Sequence, residues 1–231
     1  MTYIRKEVIG DCTLYLGDCM DVMPTLDPVD AVVTDPPYGI ARDGQSETFT
    51  KKAKHKRKNY SHKGWDASRP RPEVFCAIIG VSESQIIWGG NYFADLLRPS
   101  MRWLYWGKGQ DGLSMSDGEL AWTSQQGALR AFTLNRSALH RDGAKHPTQK
   151  PVALMEWCLG FLPDAETILD PFMGSGTTLV ACAKMGRKGV GIELDPEYFE
   201  IACKRVRDAY AQPDLFVEPP APQPTQEGFD L

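Results

Sequence analysis

Residues Ile168 to Glu193 constrain the fold more than any other stretch of this chain. The apolar run Ile168-Leu169 ends at Asp170-Pro171 and enters a glycine-bearing turn, Phe172-Met173-Gly174-Ser175-Gly176-Thr177-Thr178. Leu179-Val180-Ala181-Cys182-Ala183 then reads as a helix, and Gly189-Val190-Gly191-Ile192 as a second strand ending at Glu193, 23 positions after Asp170. Strand, glycine turn, helix and strand in that order predict a β-α-β unit of a parallel sheet. Small residues let the backbone approach a ligand, the helix start offers unpaired N–H groups, and an acid at the second strand end suits the hydroxyls of a ribose. The unit predicts a nucleoside site.

A second strand-to-loop junction lies far upstream. Ala31-Val32-Val33 is an apolar run of the kind buried in a parallel sheet, and it leads into Thr34-Asp35-Pro36-Pro37-Tyr38-Gly39. The loop therefore falls at a strand's carboxyl end, where open α/β sheets hold their ligands. Two prolines lack N–H groups and fix φ, so the loop is stiff and its carbonyl groups are left to accept hydrogen bonds. Asp35 adds a carboxylate and Tyr38 an aromatic face, which together suit an amino group on a flat heterocycle. An ordinary Asp-Pro turn is the competing reading.

Asp-Pro-Pro-Tyr early and Asp-Pro-Phe-Met-Gly-Ser-Gly-Thr-Thr late resemble the motifs of the S-adenosylmethionine-dependent DNA amino-methyltransferases. The order matches the permuted subgroup in which the catalytic motif precedes the cofactor motif, and the likeness runs from about residue 11 to about residue 207. The resemblance implies an α/β, Rossmann-like methyltransferase fold with a mostly parallel sheet and helices on both faces. It implies catalytic roles for Asp35, Pro36, Pro37 and Tyr38. Cofactor contacts would come from Asp170, Pro171, Phe172, Gly174, Ser175, Gly176, Thr177 and Glu193. In this family Asp-Pro-Pro-Tyr more often accompanies methylation of adenine N6, and Ser-Pro-Pro-Tyr that of cytosine N4, so adenine is the expected target.

The remaining segments extend this reading. A chain of 231 residues suits one α/β domain, expected over 1–211. Val8 to Leu16 reads as a hairpin or edge strand, followed by Asp18 before a short helix. The resemblance implies that Asp18 contacts the adenine ring of the cofactor; capping the helix is the other role open to it. Helices are predicted over Pro72 to Gly80, Val152 to Leu162 and Pro196 to about Ala211. Strands are predicted over Gln85 to Phe93, Met101 to Lys108 and Glu119 to Thr123, with most of the six tryptophans serving the core. Thr148 and Lys150, near a helix start in His146-Pro147-Thr148-Gln149-Lys150-Pro151, suit a carboxylate. The resemblance places them at the methionine end of the cofactor.

Net charge is −4, yet the stretch from Lys51 to Arg71 holds nine Lys or Arg against one acid, Asp66, so it carries +8 and the rest of the chain −12. A polar, basic run of this kind predicts a mobile loop over 41–71. Lys51, Lys52, Lys54, Lys56, Arg57, Lys58 and Lys63 are the expected contacts to DNA phosphates, beside the catalytic loop. Residues 124–145 have no convincing long element and are the expected target-recognition segment, short enough to imply a short DNA word or loose specificity. The Pro- and Gln-rich end, 212–231, predicts a disordered tail. Within it Gln212-Pro213-Asp214-Leu215-Phe216 resembles the peptide by which bacterial DNA enzymes dock on the sliding clamp.

Six cysteines without a CxxC pair argue for reduced thiols and against a zinc site, and no apolar stretch approaches a membrane span. A cytoplasmic protein of a bacterial or phage-infected cell, monomeric or homodimeric and without a metal, is expected. Its substrate class is DNA; cytosine N4 methylation and a catalytically inactive nucleic-acid-binding module are the alternatives.

Overall fold

The computed structural model describes residues 2–41, 66–109, 116–134 and 149–211. The basic residues Lys51 to Lys63, Thr148, residues 135–145 of the 124–145 segment and the tail with its clamp-like peptide lie outside them.

Nine strands among the described residues form a single sheet: β1 (Arg5–Ile9), β2 (Cys12–Leu16), β3 (Ala31–Thr34), β4 (Ser84–Trp88), β5 (Trp103–Gly107), β6 (Gly118–Thr123), β7 (Arg130–Thr133), β8 (Thr167–Asp170) and β9 (Lys188–Glu193). Their spatial order is β1-β2-β9-β8-β3-β4-β6-β5-β7. The run from β2 through β9, β8 and β3 to β4 is parallel, and antiparallel pairs occur at β1–β2, β4–β6 and β5–β6. The central strands read as continuous apolar runs because both faces are covered. Val33, Ile86 and Ile168 join one core with the helices α3 (Val152–Leu159), α4 (Thr177–Lys184) and α5 (Pro196–Ala211). Val32, Ile87 and Leu169, one residue away in each strand, join the opposite core with α1 (Cys19–Val22) and α2 (Pro72–Gly80).

One expectation needs correction. The strand predicted over Gln85 to Phe93 stops at Trp88, because Gly89 adopts φ +69° and turns the chain into a short 3-10 segment, Gly90–Tyr92. In the 124–145 segment, where no long element is expected, the described residues hold a short edge strand, β7, parallel to β5 and mostly exposed. Its apolar content is too low for the sequence to announce it. Trp88, Trp106 and Trp122 are buried, as are five of the six cysteines, while Cys76 is exposed. No helix among the described residues is long and apolar enough to cross a membrane.

Candidate active site

From β8 the chain crosses to β9 on one side, and from β3 it crosses through α2 to β4 on the other. Connections that leave two adjacent parallel strands in opposite directions open a crevice between their carboxyl ends. Here those ends are Thr34-Asp35 and Asp170-Pro171. A cleft of about 1500 Å³ lies there, lined by Asp18, Asp35, Pro36, Pro37, Tyr38, Asp170, Pro171, Phe172, Gly174, Ser175, Thr177 and Glu193 among others. Two motifs that are remote in sequence thus face one space.

The β8 loop is built around a buried carboxylate. Asp170 accepts hydrogen bonds from the Thr34 hydroxyl (2.8 Å), the Thr178 hydroxyl (2.7 Å) and the Phe172 N–H (3.1 Å). Burial outweighs these donors and raises its pKa to about 6. Asp170 therefore knits the loop to β3 and α4. Gly176, at φ +76°, precedes α4, and a Cβ there would lie 2.9 Å from that of Ala202 on α5, so the helices close only over glycine. Arg205 of α5 donates to the Ser175 carbonyl (2.6 Å) and to the Ser175 and Thr177 hydroxyls.

Glu193 ends β9 and accepts the N–H groups of Gly174 (2.9 Å) and Asp195 (2.8 Å). Desolvation raises its pKa to about 7 against those donors. Asp18 caps α1 by accepting the Met20 N–H at 2.8 Å, and it also stands in the cleft wall. The capping role is thus realised, and proximity to the cleft leaves the second role open.

The Asp35 loop carries a denser charge system. Asp35 accepts the Tyr38 hydroxyl at 2.6 Å on one oxygen and pairs with the Lys150 ammonium at 2.5 Å on the other. Lys150, expected at the carboxylate of the cofactor, carries its ammonium to Asp35 and to Glu119, 3.0 Å away. Glu119 pairs in turn with Lys108 at 2.5 Å. Burial raises the Asp35 pKa, and the nearby Glu119 charge adds to that, while Lys150 opposes both. Burial also works against ionisation of Glu119, but Lys150 and Lys108 overcome it and hold the carboxyl at about 2. Lys108 and Glu119 escaped the sequence reading. The available signal was a Gly-Lys and a Gly-Glu pair at facing ends of β5 and β6, where charge interrupts apolar strands.

Tyr38 lies stacked on Tyr92, ring centroids 4.8 Å apart and nearly parallel, so one of its faces is covered. Gly89 admits the ring: a Cβ there would fall 2.1 Å from it. Asn91 and Tyr92 both line the cleft. Asp66, the one acid of the basic stretch, accepts the Gly39 N–H at 2.8 Å, and its carbonyl accepts the Ala41 N–H at 2.9 Å. The chain therefore leaves at 41 and returns at 66 at one point beside the Asp35 loop.

Known proteins share this architecture. The crystal structure of the M1.HpyAVI–SAM complex superposes with a TM-score of 0.55 at 23% identity, covering 84% of this chain and 99% of that one. The cytosine-N4-specific PvuII DNA methyltransferase gives 0.55 at 15% identity over 90% and 95%. At these identities the likeness concerns the fold. In sequence, the type II methyltransferase M2.DpnII of Streptococcus pneumoniae is 32% identical over 151 residues, 62% of this chain and 48% of that protein. The chain spans about half the length of the curated relatives it matches first. The DNA methylase model for N6 and N4 amino-methyltransferases matches residues 82–204, more than half of the chain, which therefore belongs to that family.

Proposed function

We propose that this chain transfers a methyl group from S-adenosylmethionine to the exocyclic N6 amine of adenine in DNA, after the base has left the duplex. One observation carries the reading: the Asp35 loop and the glycine turn sit side by side on one cleft, tied by the Thr34–Asp170 hydrogen bond. The residues fit the cofactor. A Cβ on Gly174 would meet nothing within 4 Å, so the turn is open to close approach, and the Glu193 carboxylate stands beside it. Glu193 would take the ribose hydroxyls, with Asp18, Phe172 and the Gly174–Thr177 turn around the nucleoside. When bound, the cofactor supplies a sulfonium-activated methyl group.

The protein's task is then to orient the amine and manage its proton. An adenine amine is a weak nucleophile because its lone pair is delocalised into the ring. Asp35 and the Pro36 carbonyl accept its two hydrogens and draw the lone pair out of the ring plane. Lys150 keeps Asp35 ionised at the start, and burial makes that carboxylate basic enough to take the proton released from nitrogen as the N–C bond forms. Tyr38 lends Asp35 its hydroxyl, and Tyr92, 40% exposed, presents the outer aromatic face of the stack to an extruded base. The seven basic residues from Lys51 to Lys63 are proposed to supply contacts to DNA phosphates. Residues 212–216 are proposed to dock on the sliding clamp; equal clamp binding by the full chain and by one ending at Ala211 would remove that part.

The test is transfer of labelled methyl groups to unmethylated DNA, followed by digestion to nucleosides. N6-methyladenine is expected. N4-methylcytosine would shift the substrate, and an unlabelled digest would overturn the reading.

A further inference from the structure

The ammonium of Lys150 is enclosed more thoroughly than neutralising it requires. Both Lys150 and Lys108 are 5% exposed. Lys150 lies 2.5 Å from Asp35, 3.0 Å from Glu119 and 3.3 Å from the Tyr38 hydroxyl. One carboxylate balances one ammonium, and each further buried ion carries a desolvation cost. The second carboxylate has a use if Asp35 must turn its lone pairs to another group while Lys150 stays in place. Glu119, itself held by Lys108, keeps the ammonium at the cleft wall when that happens.

Asp35 and Lys150 then offer the cleft an acceptor and a donor side by side. The pairing edge of adenine carries the complementary set, a donating amine next to the accepting ring nitrogen N1. Cytosine carries the same set with N4 and N3, whereas guanine and thymine reverse it, placing a carbonyl next to a ring N–H. We infer that Lys150 donates to the ring nitrogen adjoining the target amine while Asp35 accepts from that amine. The pair thereby reads the edge common to adenine and cytosine and excludes that of guanine and thymine. This rests on the proposed methylation of a base amine. The Lys150 N–H that turns to the base is the one now reaching Tyr38, the longest of its three contacts. The Tyr38 hydroxyl keeps its own partner, since it donates to Asp35.

The experiment places 1-deazaadenine or 7-deazaadenine at a mapped target adenine and measures kcat/KM for methylation. In the wild-type protein, loss of N1 is expected to cost about 10–100-fold relative to loss of N7, the range for an unpaired charged donor. In Lys150→Met the N1 penalty should shrink below about threefold, a double-mutant cycle that cancels effects of the analogue on base pairing and amine basicity. Binding of S-adenosylmethionine, followed by calorimetry, should stay within about threefold in Lys150→Met. Should that variant not fold, the wild-type comparison and Glu119→Gln, which loosens Lys150 without removing it, carry the test. A wild-type enzyme indifferent to N1, an N1 penalty that survives Lys150→Met, or a collapse of cofactor binding in that variant would each overturn the assignment. A wild-type protein that methylates no natural base would instead sink the methyltransferase reading beneath it.

Discussion

The Thr34 hydroxyl donates to Asp170 at 2.8 Å, joining two strand ends 136 residues apart in the chain. Thr34 and Asp170 are both almost fully buried, and the bond spans the seam from which β3 and β8 connect outward in opposite directions. It sets the position of the Asp35 loop relative to the glycine turn.

Thr34→Val keeps the shape of the side chain and removes that donor. Asp170 retains Thr178 and the Phe172 N–H, so the expected loss is about 1–3 kcal/mol of stability, the cost of under-serving a buried carboxylate. Urea unfolding measures it. A variant as stable as the wild type would show that the bond does not join the two loops.

Asp35→Ala should lower methylation at least about 100-fold while binding S-adenosylmethionine nearly as the wild type does. Asp35 follows β3 and touches Tyr38 and Lys150 rather than the glycine turn. Filter binding of the cofactor alongside single-turnover kinetics separates the two effects, and retained turnover would exclude Asp35 as the group that engages the amine.

Gly89→Ala places a methyl group 2.1 Å from the Tyr38 ring, at a backbone φ of +69° that alanine adopts with strain. The Tyr38 ring must shift, and its hydroxyl leaves Asp35. A fall in kcat with little change in cofactor affinity is expected, together with a lower melting temperature. Unaltered kcat would mean that the Tyr38–Asp35 hydrogen bond is dispensable.

Glu193 and Asp170 have pKa values raised by burial, to about 7 and about 6. Between the unfolded and folded values of such an acid, the folded chain binds more protons than the unfolded one, so stability declines as pH rises through that window. Without cofactor, the protein should be more stable at pH 5 than at pH 8, with about 1–3 kcal/mol of the difference due to Glu193. Glu193→Gln should flatten the profile above pH 6. Denaturation curves across that range decide it, and an unchanged slope would remove Glu193 as the source.

Replacing Lys54, Lys56, Arg57 and Lys58 with glutamine should weaken DNA binding and reduce its salt dependence, by up to about 0.9 in slope for each phosphate no longer neutralised. Titrations at several salt concentrations provide the readout, and identical slopes would assign the run to solvent.

The β-α-β unit was legible because an apolar strand, a glycine turn and a spaced acid are local patterns, and each is set by backbone geometry within a few residues. The Asp35 loop was legible for the same reason: two prolines after an apolar strand leave few conformations. Other features depended on partners from elsewhere in the chain. Tyr38 reads as a free platform until Tyr92 covers one face, and Lys150 gives no sign of its ion pair with Glu119 until β6 brings that residue against it. The end of β4 at Trp88 followed from Tyr38 requiring space at Gly89, and the edge strand β7 exists only because β5 lies beside it. Sequence alone determined the kind of sheet and that each of the two loops follows the end of a strand, because strand period and turn chemistry are local. Tertiary structure decided which charges share the cleft, because the partner of a buried ion is chosen by packing between elements and not by spacing along the chain.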